Sequence, residues 1–100
     1  MSDRARGLRD LDQIDTVFSA LAHTNRRQIL TVLRSRGAMM TSGELASRFA
    51  CSWPTTTRHL GVLVAAGLVD VTKHGRERQY CVNNEILENV AGAWIDRFRE

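Results

Sequence analysis

The sequence predicts a mainly α-helical fold with a small β-hairpin. Three observations predict it: two closely spaced helix starts at Thr41 and Ser52, a glycine stop at Gly67, and two alternating strand-like runs around a basic glycine turn. Taken in chain order, a short helix, a turn, a second helix and a hairpin outline a winged helix-turn-helix of about five helices and a two- or three-stranded wing sheet. In that architecture the second helix reads DNA.

Each element has a local reason. In Thr41-Ser42-Gly43-Glu44 a hydroxyl stands three positions before a Glu and just ahead of Leu45-Ala46-Ser47-Arg48-Phe49, which is a capping box. Ser52-Trp53-Pro54 opens the next helix, with Ser as N-cap and Pro in the first turn, where its missing N–H has no helical partner. That helix runs to about Ala66. Thr56, Leu60, Leu63 and Val64 line one face, and Thr55, Arg58, His59 and Val62 the other. Gly67 can adopt the left-handed backbone that stops it. Leu68–Lys73 and Arg78–Val82 then read as strands joined by His74-Gly75-Arg76-Glu77. Lys73, Arg76 and Arg78 are either a solvated loop or the tip of a wing, and their place directly after a reading helix favours the wing.

The flanking helices have a different job. Leu11, Ile14, Val17, Phe18 and Leu21 trace one face of a first helix over residues 10–22, with Asp10, Asp12 and Asp15 near its start, where negative charge suits the helix dipole. Residues 1–9 are expected to form a mobile arm. Thr24 or Asn25 caps a second helix through Arg36, with Ile29, Leu30, Val32 and Leu33 inward. Arg26 and Arg27 sit unfavourably for its dipole, as either phosphate contacts or solvated charges. Gly37 should end it, and Ala38-Met39-Met40 should form a short strand beside the wing. The last helix, over residues 84–99, carries Ile86, Leu87, Val90, Ala91, Trp94, Ile95 and Phe98, a stripe too broad for a small core to cover. A two-fold contact between first and last helices is therefore expected, through Leu11, Ile14, Val17, Phe18, Ile86, Leu87, Val90, Trp94, Ile95 and Phe98.

Composition sets the bounds. One hundred residues fit a single domain spanning 1–100, and the net charge is +3. Between residues 20 and 82 nine basic side chains face only three acidic ones, while both ends are net acidic, so positive charge gathers in the reading unit, as phosphate binding requires. No apolar run of about 18 residues and no signal-peptide core is present, so no membrane partner is expected. Two cysteines do not make a disulfide framework, and a reducing cytoplasm is the expected compartment.

Taken together, Leu21-Ala22-His23-Thr24-Asn25-Arg26-Arg27-Gln28-Ile29-Leu30, Gly43-Glu44-Leu45-Ala46, Thr57-Arg58-His59-Leu60, Leu63-Val64-Ala65-Ala66-Gly67-Leu68-Val69 and Gly75-Arg76-Glu77-Arg78-Gln79-Tyr80 resemble the ArsR-type bacterial transcriptional regulators. The resemblance covers roughly residues 11–98 and implies a homodimeric repressor that grips two half-sites of double-stranded DNA. Expected contacts from the reading helix are Ser52, Trp53, Thr55, Thr56, Arg58 and His59. Arg58 is suited to fork onto guanine and Thr55 to meet a base or a thymine methyl. Thr57 matches a Ser or Thr common in the family and is expected on a phosphate. Lys73, His74, Gly75, Arg76 and Arg78 are the expected wing contacts. Trp53 departs from the polar residues often found there, and either reaches thymine methyls or tucks against the turn. Thr56 replaces a usual aliphatic residue and Gly61 a usual basic one.

Many members of the family answer to metals through clustered thiolates, imidazoles or carboxylates. Here Glu44-Leu45-Ala46-Ser47 has no Cys and the last helix has no His, so neither a metal nor another cofactor is expected. The alternatives are a thiol-based redox switch at Cys51 and Cys81, where a helix start could activate Cys51, and a winged-helix interaction module that does not read bases. No nucleophile elbow, phosphate-cradling loop or paired-acid motif points to an enzyme. The operator, the regulated genes and any small-molecule inducer are not written in the sequence.

Overall fold

The computed structural model describes the backbone over residues 3–36, 39–49 and 52–99, and the side chains over 11–34, 39–49 and 52–99. Helix α1 spans Asp3–Leu21 and α2 Thr24–Arg36; a short strand β1, Met40–Thr41, leads into α3, Ser42–Ala46. Helix α4 spans Trp53–Ala65, and strands β2, Val69–His74, and β3, Glu77–Val82, form the hairpin. The terminal helix α5 is α-helical over Asn84–Ile86, π-helical over Leu87–Gly92 and α-helical again over Ala93–Asp96. The sheet is antiparallel in the order β1-β3-β2, with Met40 opposite Tyr80 and His74 opposite Glu77.

Local chemistry sets the boundaries. Thr41 accepts from the Glu44 amide at 3.1 Å while the Glu44 carboxylate accepts from the Thr41 amide at 3.0 Å, so the capping box is complete. Ser52 caps α4 through the Thr55 amide. At its far end the Leu68 amide reaches the Leu63 carbonyl and the Gly67 amide the Val64 carbonyl, both at 3.0 Å, around Gly67 at φ 79°. This paired closure is a Schellman motif, and it turns the chain directly into β2. Gly75 alone at the hairpin tip has positive φ, 63°, as a two-residue turn with glycine in the first central position requires.

Several boundaries differ from the sequence expectation. Helix α1 begins at Asp3 rather than near Asp10, so the segment expected as a mobile arm is helical from that residue on; Arg, Ala and Leu favour helix strongly enough to outweigh the single Gly7. His23, not Thr24 or Asn25, takes the N-cap position of α2. Its carbonyl accepts from the Arg26 and Arg27 amides at 3.1 Å, and its Nδ1 accepts from the Asn25 amide at 3.3 Å. The first strand lies at Met40–Thr41, and Met39 is exposed outside it; Gly37 and Ala38 lie outside the described residues.

The core draws on every layer: Val17 and Ala20 from α1, Ile29, Leu30 and Leu33 from α2, Leu45 from α3, Leu60 and Leu63 from α4, and Met40 and Tyr80 from the sheet. Val90 and Ala91 complete it from α5. Their adjacent burial suits the wider π turn, which shifts the helical register between them. In β2 only Val69 is buried, and in β3 Tyr80 is buried, so the base of the hairpin joins the body and its tip, from Lys73 to Arg78, stands in solvent.

Candidate nucleic-acid interface

Helical periodicity divides α4 into four sides. Thr56, Leu60 and Leu63 are buried, and the Thr56 hydroxyl donates to the Ser52 carbonyl at 3.1 Å. Thr56 is therefore withdrawn from the expected DNA contacts: a side chain 1% exposed, with its proton engaged inside the helix, has no access to a groove. Pro54, Thr57, Arg58 and Gly61 are exposed on the opposite side, and no atom lies within 4 Å of the position a Gly61 Cβ would take. Ser52 is exposed and Thr55 half-buried, their hydroxyls joined at 2.9 Å.

One flank of α4 faces the wing. Trp53 lays its indole over Gly43, where an added Cβ would sit 3.4 Å from the ring, and its Nε1–H donates to the Ser42 hydroxyl at 2.6 Å. Of the two alternatives read from the sequence, the ring takes the one against the turn, while remaining 61% exposed. Trp53, Thr57, Thr41, Ser42, Arg76, Arg78 and Tyr80 line a crevice of about 450 Å³ between α4 and the hairpin. Lys73, His74, Gly75, Arg76 and Arg78 are all exposed along the wing. The only ion pair among the described residues is Arg99–Asp96; Glu77, between Arg76 and Arg78, lines the same crevice without pairing with a described cation.

The other flank faces the corner between α1 and α2. His59 lies 4.6 Å from His23, centroid to centroid, and its Nδ1 is 3.4 Å from the Arg26 guanidinium. Burial, followed by the positive fields of His23, Arg26 and Arg58, lowers the His59 pKa from its ordinary value. Arg26 also donates to the carbonyls of Ala20 at 2.7 Å and Ser19 at 3.2 Å, and Arg27 to that of Leu21 at 2.7 Å. Neither role expected of these arginines accounts for their contacts. They cap the last carbonyls of α1, where cations are favoured and α1 itself has no basic residue in its last turn. The signal in the sequence was their position just after a short His-Thr-Asn corner.

Among the residues expected to pair two copies, Val17 is 0% and Val90 8% exposed, both within the protomer core, and Ile86 packs beneath Gly67. Val17 and Val90 are accordingly reassigned to the interior, whereas Ile86 is half-buried. Ile14, Phe18 and Leu87 are half-buried, whereas Leu11, Trp94, Ile95 and Phe98 stand out. Phe18, Trp94 and Phe98 form a row with centroid spacings of 5.3 and 4.8 Å. Cys81 is a half-buried free thiol on β3, and Cys51 lies outside the described residues. No group of three metal-ligating side chains converges among the described residues, and none of the helices is long and apolar enough to cross a membrane.

A capped helix flanked by a cationic hairpin and seated on a helical body defines a DNA-binding protein of the winged helix-turn-helix class. The sequence profile of a helix-turn-helix domain family matches residues 21–72. The chain is 32% identical over 85 residues to the transcriptional repressor SdpR of Bacillus subtilis (strain 168), covering 85% of this chain and 91% of that protein. An ArsR-like transcriptional regulator from Rhodococcus sp. RHA1 superposes with a TM-score of 0.72 at 35% identity, over 87% of this chain and 86% of that one. The homodimeric winged helix-turn-helix DNA-binding domain Mb0332 from Mycobacterium bovis, a possible ArsR-family regulator, matches with a TM-score of 0.75 at 26% identity, over 97% and 87%. This chain belongs to the ArsR family of winged helix-turn-helix transcriptional regulators.

Proposed function

We propose that this regulator is a homodimeric repressor that works in the cytoplasm on an inverted-repeat operator. The observation that carries the dimer is the exposed apolar row on α1 and α5: Leu11, Ile95 and Phe98 are 48–70% exposed, next to the Phe18–Trp94–Phe98 aromatic series. A solvated row of this kind calls for a partner, and a second copy presents the same row. The homodimeric description of Mb0332 and the repressor description of SdpR support the same reading.

Two copies related by a two-fold set their α4 helices in successive major grooves about 34 Å apart, which makes the operator an inverted repeat. Arg58 reads a base, Thr57 holds a phosphate beside Trp53, and the wing follows the backbone. Trp94→Ala should cost the dimer about 2 kcal/mol, the scale of an aromatic hot spot. Sedimentation at low micromolar concentration should then show more monomer, and mobility shift should show weaker operator binding. A Trp94→Ala protein as dimeric as the wild type would remove Trp94 from the contact, and a wild-type monomer saturating a single half-site would overturn the two-fold arrangement. Binding indifferent to sequence would favour an interaction module in place of a repressor.

A further inference from the structure

The corner that holds His23 and His59 concentrates basic groups beside α4. His59 lies on the flank of α4 away from the hairpin, and His23 is exposed at the N-cap of α2. The rings are 4.6 Å apart. Among the described residues, the groups acting on His59 are all basic: His23 and Arg26 from the α1–α2 corner and Arg58 from α4. The end of α1 adds only carbonyls, and Arg26 already occupies two of them.

The His23 Nδ1 accepts from the Asn25 amide, and the His59 Nδ1 faces the Arg26 guanidinium, which can only donate. A second proton on either ring would turn an acceptor toward a donor inside a positive field. An anion arriving at this corner reverses the sign of that field, and each imidazole then gains from being charged. The wall of the major groove is lined with such anions, and α4 is held between its walls when its outer side meets the bases.

We propose that the His23–His59 pair, backed by Arg26 and Arg58, is a second phosphate-binding site, which takes a DNA backbone phosphodiester and takes up a proton from solvent as it does so. The inference rests on the DNA-reading function proposed above. It makes grip on the corner side stronger in acid.

The test is fluorescence anisotropy with a labelled mixed-sequence duplex at constant ionic strength, since a phosphate contact needs no operator. Affinity should rise at least about threefold from about pH 7.5 to about pH 6, as expected for proton uptake linked to binding through imidazoles. His59→Gln and His23→Gln should each flatten that slope. Because His59 is half-buried, the exposed His23 gives a second handle: His23→Arg, a permanent cation, should raise affinity at high pH toward the wild type's acid value while losing part of the slope. The imidazole Hε1 resonance of His59 should titrate at higher pH in the duplex complex than in the free protein. Wild-type slopes in both Gln variants, or a His59 titration unmoved by the duplex, would overturn the proposal while leaving DNA reading untouched. Failure to bind any duplex at any pH would overturn both.

Discussion

The two flanks of α4 solve the same problem with different chemistry. On the wing side, cations ride on an exposed hairpin tip, paired with no carboxylate among the described residues, and a tryptophan tethered by one hydrogen bond to Ser42 fills the approach. On the corner side, Arg26 and Arg27 spend their donors on α1 carbonyls, and imidazoles face outward in their place. Three basic side chains around a turn and two at a helix start look alike in a sequence. What a cation does depends on whether the fold has already given it an acceptor.

Substitutions at matching places on the two flanks separate gripping from folding. The largest effect is expected at the residue between them: Arg58→Ala should cost about 1 to 3 kcal/mol on the preferred site and relax preference at one base pair, the scale of a lost bidentate contact. Equal losses on specific and random duplexes in a binding titration would show that Arg58 belongs with the gripping cations.

Next come the arginines themselves. Arg26→Ala leaves the part-buried Ala20 carbonyl and the end of α1 without their donors and should lower stability by about 2 kcal/mol in urea unfolding. Arg76→Ala at the wing should leave stability within about 0.5 kcal/mol, weaken all duplexes alike, and reduce the salt dependence of binding by about one phosphate. A stable Arg26→Ala protein would erase the distinction between the flanks.

Gly61→Ala sharpens the comparison from the outer side of α4. Nothing lies within 4 Å of the new methyl, so helix propensity alone should raise stability by about 0.5 to 1 kcal/mol. Unfolding midpoints check this. Weaker duplex binding in the same variant would indicate that the backbone at Gly61 closely approaches DNA.

The smallest effect tests the corner flank by pH. Burial of His59, then the fields of His23, Arg26 and Arg58, depress its pKa below 6.5, so the folded protein binds protons less readily there than the unfolded chain. Its contribution to stability is full above the ordinary imidazole range and is lost as pH falls through the depressed folded value. Melting temperature should therefore drop on acidification, and His59→Gln should reduce the drop. Duplex affinity is expected to move in the opposite sense. Parallel pH dependences of stability and affinity would contradict a neutral His59 in the free protein.

Much of this was legible because it was local. The Thr41–Glu44 capping box, the Ser52 cap, the Gly67 stop and the hairpin turn each depend on residues a few positions apart, whose backbone preferences and short hydrogen bonds are written in neighbouring side chains. The helical period likewise marked Leu60 and Leu63 as inward, and it placed Thr56 on their face even though its position near the start of the helix put it among the expected contacts. The amino-acid sequence by itself determined the order of elements, the reading helix and the cationic wing. Tertiary structure decided which long-range acceptor each side chain meets: Arg26 on Ala20, Trp53 on Ser42, His59 beside His23, and Val17 and Val90 sealed in the protomer rather than offered to a partner. Those outcomes turn on distances between separate helices, and no helical period or cap can encode them because side-chain partners across a packed interface are set only when the elements dock.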